Sequence, residues 1–266
     1  MNDHRTPTST DDPVPAPRGR HRRETPRLDG LPSVPLSVWL TEPLTGCCPL
    51  CTDPVGTACA RRLPLALVRQ ITETYSEPGD VVWVPDAGNG SPLIGPVTCG
   101  RKVIGYARTP DHARTTSALL KEQPTEVASL AVLRHVPPAG LPGQSERLAS
   151  RAALAILAPH HPAGASELAP VLDATVRVLR PGGVTVIVTR QQPGQDRPGL
   201  LTAFAQAAGF TYLQHVAAVE ATAANGKLRP RTEASPAHGP DCACTGPAAR
   251  AGRHQVAHHD LLVFTK

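Results

Sequence analysis

Apolar positions change period several times along this chain, and each change marks an element. Residues 37–40 (SVWL) predict a short first strand. Over 61–76, Leu67, Val68, Ile71 and Tyr75 fall on one face of a 3.6-residue repeat, which predicts a helix ended by Pro78-Gly79. Val81-Val82-Trp83-Val84 is a continuous apolar run, the pattern of a parallel strand buried on both faces, and it stops in a Gly-containing turn. Residues 102–107 predict the next strand and 111–122 the next helix. A further strand falls within 127–136, a loop over 137–145 and a fourth apolar run at 152–159. The clearest helix is 166–179, where Leu168, Val171, Leu172, Thr175, Val176 and Leu179 form one stripe. Pro181-Gly182-Gly183 breaks the stripe before a β-branched strand at 184–189. A helix over 200–209 closes on Gly209. The last two strands are 211–221 and 260–265, separated by a long loop, 222–259, rich in Pro, Gly, Ala and Cys.

Strands alternating with helices imply βαβ units and a parallel sheet. The ending is different: no helix separates the last two strands, which implies a final antiparallel strand beside its predecessor. The predicted fold class is therefore α/β, a Rossmann-like, doubly wound, mostly parallel sheet with a terminal antiparallel strand.

Composition narrows the function classes. The 266 residues include 22 Gly and 30 Pro but only three Phe, three Tyr and two Trp. A coiled coil and a helical bundle are excluded, and the core must be aliphatic. No apolar run approaches the ~18–20 residues that a bilayer span needs, so no membrane association is expected. Residues 1–33 show no apolar period and no signal-peptide core, which predicts a disordered basic N-terminal arm before a domain over 34–266. Within it RGRHRRETPR (18–27) carries five Arg. It reads either as an arm for nucleic acid or as a solvated tail. The 18–27 segment sets five Arg against one Glu, a local charge of +4.

The strings LPLALVRQITETYSEPGDVVWVPDAGNGSPLI, VLRPGGVTVIVT and HHDLLVFTK, in that order, resemble the class I S-adenosylmethionine-dependent methyltransferases, and most closely the DNA amino-methyltransferases. Pro78, Gly79, Asp80, Pro85, Ala87, Gly88 and Gly90 stand at places matching that family's entry motif. The resemblance spans roughly 37–266. It implies a cofactor loop at Pro85, Asp86, Ala87, Gly88 and Gly90, in which glycine lets the backbone approach S-adenosylmethionine closely. A helix should follow the loop, but Pro92, Gly95 and Pro96 predict a poor or short one. The resemblance also places the catalytic motif, which hydrogen-bonds the target amine and stacks on a flipped base, at Ala158-Pro159-His160-His161. Pro159 keeps one backbone carbonyl. His161 offers a ring for stacking, or either histidine a base near neutral pH; the alternative is two loop histidines without chemistry.

Four working positions depart from the family. Val84 and Ala107 stand where carboxylates end the first two strands of the motif region. Val132 stands where one contacts the adenine amine, and Ala158 replaces a polar catalytic side chain. A ribose diol bound without a carboxylate loses charge-assisted hydrogen bonds of about 1.5–3 kcal/mol each. The expected protein is thus a degenerate methyltransferase, a pseudoenzyme serving as a binding or regulatory module for a nucleic-acid or protein partner. The alternatives are an active DNA methyltransferase, and a methyltransferase for another substrate with His160 or His161 as base.

Seven cysteines, an odd number without an export signal, argue against a disulfide framework and for a cytoplasmic chain. Cys48-Pro49-Leu50-Cys51 has the spacing of half a tetrahedral zinc site. Cys242 and Cys244 supply a candidate second half, with Cys47, Cys59 and His238 as alternative ligands. His254, His258 and His259 read as structural.

Overall fold

The computed structural model describes residues 36–42, 63–88, 90–159, 165–190, 196–224, 227–230 and 258–266. All of them belong to one unit, Val34–Lys266. The expected arm over 1–33, His160 and His161, and the cysteines proposed as zinc ligands lie outside the described residues.

The strands are β1 (Leu36–Thr41), β2 (Val81–Val84), β3 (Lys102–Ala107), β4 (Ala131–His135), β5 (Ala152–Leu157), β6 (Leu179–Thr189), β7 (Thr211–Ala224), β8 (Lys227–Pro230) and β9 (His258–Thr265). The helices are α1 (Leu65–Tyr75), α2 (Ser91–Thr98), α3 (Pro110–Lys121), α4 (Thr125–Ala128), α5 (Leu141–Ser145), α6 (Ala165–Val178) and α7 (Arg197–Ala207). One sheet runs β1-β7-β9-β6-β5-β2-β3-β4, with β8 paired to β7. β9 is antiparallel to both β6 and β7, inserted between them as the sequence order implied. The rest of the path is parallel.

Both faces of the sheet are covered, and strand alternation sorts the core into two layers. Val82 and Val84, Leu154 and Ile156, and Leu261 and Val263 meet Leu67, Val68 and Ile71 of α1 and Leu93, Ile94 and Val97 of α2. Trp83, Leu157, Leu262 and Phe264 point the other way, onto Leu168, Leu172 and Val178 of α6 and Leu201 and Ala205 of α7. Each such aliphatic side chain fully buried is worth about 1.5–3 kcal/mol, which is why β2 and β5 read as unbroken apolar runs. Trp83 also needs a partner for its indole N–H, and donates it to Thr175 Oγ1 of α6 at 3.2 Å.

α2 is short, at eight residues, as its prolines predict: Pro92 sits in its first turn, where no backbone donor is lost, Pro96 lies inside it, and Ser91–Val97 are all buried. Three expectations need correction. The loop expected over 137–145 instead holds α5 and a 3-10 turn, Pro138–Gly140. Pro181-Gly182-Gly183 does not interrupt β6, because the backbone there pairs with the end of β9: Lys266 N donates to Gly183 O at 3.2 Å. The loop expected from 222 opens as a hairpin, with β7 running to Ala224 and returning as β8.

Candidate functional site

Strand order fixes where a ligand can sit. From β2 the chain runs outward through β3 and β4, then returns to place β5 on the other side of β2. The loops leaving β2 and β5 therefore diverge and open a crevice at the carboxyl edge of the sheet. A cleft of about 480 Å³ open to solvent lies there, lined by Pro85 and Asp86 after β2, Arg108 after β3, Val136 and Pro138 after β4, Leu157, Ala158 and Pro159 from β5, and Glu167, Leu168 and Val171 of α6.

Of the residues read from the sequence, the cleft brings together Pro85, Asp86, Ala158 and Pro159. Ala87, Gly88 and Gly90 are not among its lining residues. Ala87 is buried, and its N–H donates to Tyr106 O of β3 at 2.7 Å. Gly88 N donates to Asp86 Oδ1 at 3.0 Å, and Gly90 N to Ala87 O at 2.7 Å. Three backbone donors of the glycine loop are thus consumed inside the protein. Gly90 caps α2 with φ 98°, a left-handed conformation that costs a residue with a Cβ about 1–2 kcal/mol.

Ala107 is the last residue of β3 and is fully buried, so the place expected for a ribose-binding carboxylate holds a methyl group. Val84 likewise ends β2 fully buried. Val132 lies within the edge strand β4 and is 49% exposed, away from the carboxyl edge; the residues that β4 delivers to the cleft are Val136 and Pro138. No acidic residue lies among the three that follow β4.

One arginine lines the cleft, and a second bonds to one of its lining residues. Arg108 Nη2 donates to Glu167 Oε2 at 2.6 Å, so an ion pair joins the end of β3 to the start of α6. Arg197, at the start of α7, donates through Nη2 to Pro159 O at 2.8 Å. That carbonyl is the one the sequence assigned to the target amine. Neither contact was legible beforehand: the partners lie 59 and 38 residues apart.

Farther along the same edge a buried polar group connects β6, β7 and β9. Glu220 is fully buried, and is paired with Arg190 and with His259, whose Nε2 lies 3.0 Å from Glu220 Oε1. Asp260 Oδ1 lies 2.8 Å from His215 Nε2 on the opposite face. His258 and His259 therefore act in the sheet itself. No group of three or more His, Cys, Asp or Glu side chains among the described residues is arranged to hold a metal ion. No described helix is long and apolar enough to cross a membrane.

S-adenosylmethionine, which this fold class implies, is a poor fit to these residues. Ala107 offers its diol no acceptor, the glycine loop has spent its donors at Ala87, Gly88 and Gly90, and a guanidinium stands at Arg108.

No family model matches the chain, and no curated protein matches it. Solved structures do. Precorrin-6y C5,15-methyltransferase from Geobacter metallireducens superposes with a TM-score of 0.51 at 16% identity, over 76% of this chain and 88% of that one. The [4+2]-cyclase SpnF gives 0.51 at 15% identity, over 75% and 80%. The glycopeptide N-methyltransferase MtfA, complexed with sinefungin, gives 0.50 at 10% identity, over 76% and 85%. The chain has the fold of class I S-adenosylmethionine-dependent methyltransferases. That fold also carries a cyclase, so it does not name the reaction.

Proposed function

We propose that this protein uses the methyltransferase fold as a binding or regulatory module and does not transfer methyl groups. The observation that carries the reading is the pair of arginines at the cleft. Arg108, tied to Glu167, stands beside Ala107 where the diol needs a carboxylate, and Arg197 occupies the Pro159 carbonyl. Methyl transfer from a sulfonium to an amine develops positive charge on the amine. A guanidinium on the carbonyl meant to receive that amine opposes the step. The order of motifs supports descent from the DNA amino-methyltransferase pattern, and the basic arm supports a nucleic-acid partner.

Isothermal titration calorimetry with S-adenosylmethionine tests the reading. The expected result is no binding at low-micromolar concentration, since the loss of two or three charge-assisted hydrogen bonds weakens binding by orders of magnitude. A low-micromolar dissociation constant overturns it.

A zinc site at Cys48, Cys51, Cys242 and Cys244 is a second element of the proposal. The chain leaves β1 at Thr41 and enters β9 at His258, both at the carboxyl edge and separated by β7 alone. Two strand spacings are only about 10 Å, so the two cysteine segments start from neighbouring points. Metal analysis of protein purified without chelator should find about one zinc per chain. A stoichiometry near zero removes the site.

A further inference from the structure

In an open α/β sheet the strand beside the switch-point strand ends against the ribose of a bound nucleotide. An acid there reads the free hydroxyls, and an arginine reads a phosphate on the sugar. Here that strand is β3, next to β2, and it ends in buried Ala107 followed by Arg108, whose side chain lines the cleft. We infer that the cleft takes a nucleoside carrying a phosphate on its ribose, with Arg108 as the phosphate anchor and Glu167 as the counterion it exchanges. The inference rests on the non-catalytic reading given above.

Three observations carry it. Arg108 is itself one quarter exposed, so its guanidinium can be reached from the cleft. Glu167 is 49% exposed, and an ion pair with a carboxylate so open to water is weak and easily exchanged. A phosphate offers the guanidinium fork two oxygens at once and carries more charge than a carboxylate. The other lining residues are largely apolar, Val136, Pro138, Leu157, Leu168 and Val171 among them, which suits the faces of a base. Asp86 and Glu167 both repel an incoming anion, so Glu167 must give way for the ligand to enter. This fixes the sign of one test.

The full chain is titrated calorimetrically with adenosine 2′-phosphate, adenosine, inorganic phosphate and S-adenosylmethionine. Adenosine 2′-phosphate should bind at least about tenfold more tightly than either adenosine or inorganic phosphate. Arg108→Gln should erase that advantage, and Arg108→Lys should retain part of it. Glu167→Gln should tighten phosphate-ester binding about three- to tenfold by removing the competitor. Should Arg108→Gln fail to fold, as judged by circular dichroism, the Lys variant and Glu167→Gln still decide. Equal affinity for adenosine and its 2′-phosphate, binding of inorganic phosphate as tight as that of the ester, no binding of any of the three, or weaker ester binding in Glu167→Gln each overturns the inference while the non-catalytic reading stands. Low-micromolar binding of S-adenosylmethionine overturns both.

Discussion

Replacing Gly95 with alanine sets two effects of opposite sign against each other, and the structure says which wins. Gly95 lies in α2 against α1. A Cβ there would stand 2.5 Å from Val68 Cγ1, 2.9 Å from Val68 Cβ and 3.4 Å from the Val68 backbone carbon. Val68 is fully buried, and a valine in a helix has essentially one χ1 rotamer, so it has nowhere to turn. The two helices must separate, and α2 is wedged against the sheet by Leu93, Ile94 and Val97. Overpacking of this kind costs about 1–3 kcal/mol. Alanine in place of glycine within a helix returns about 1 kcal/mol. The contacts are far inside normal approach, so the cost should fall in its upper half, for a net loss of about 1–2 kcal/mol. For a domain of this size that lowers the melting temperature by about 2–8 °C. Urea unfolding followed by tryptophan fluorescence, with calorimetry for the midpoint, measures it. The double variant Gly95→Ala, Val68→Ala should lose less than the sum of the single losses, because the smaller side chain makes the room. A Gly95→Ala protein as stable as the parent, or an additive double variant, would refute the packing argument.

Glu220→Gln should cost about 3 kcal/mol, at the low end for breaking a buried ion pair because Arg190 keeps 24% of its surface in water. Denaturant unfolding showing a loss under about 0.5 kcal/mol would mean that the group is merely tolerated. All three tyrosines, Tyr75, Tyr106 and Tyr212, are pushed above the usual phenol value of 10.0 chiefly by burial. A raised folded-state value means that the unfolded chain releases these protons first. The stability they contribute is complete below pH 10 and is lost as the pH rises through the folded values. Absorbance at 295 nm should therefore show phenolate appearing later in native protein than in urea, and coincident curves would contradict the burial.

The sequence made the strands legible where burial is two-sided. Val81–Val84 and residues 152–157 are apolar without interruption because each face meets a helix layer. It also showed the antiparallel finish, since no helix lies between the last two strands. What it hid was set by distant partners. Pro181-Gly182-Gly183 looks like a breaker until Lys266 is seen to pair with Gly183. The cleft itself was half visible. Ala107 and Ala158 could be counted as missing polar groups from the motif order. Arg108, which bonds across to α6, and Arg197 of α7, which bonds to the Pro159 carbonyl, are announced by no local pattern.

The place of β9 has a consequence for the order in which the molecule can be assembled. The segment β4-β3-β2-β5-β6 and the segment β7-β1 share no ladder except through β9. A nascent chain that has already produced β6 and β7 holds two sheet fragments with open edges, and neither fragment can zip onto the other until His258–Thr265 is available. Open edges are templates for wrong pairing. This protein should therefore be most exposed to chaperones and to aggregation between the synthesis of β7 and that of β9, and removal of β9 should split the sheet rather than trim it.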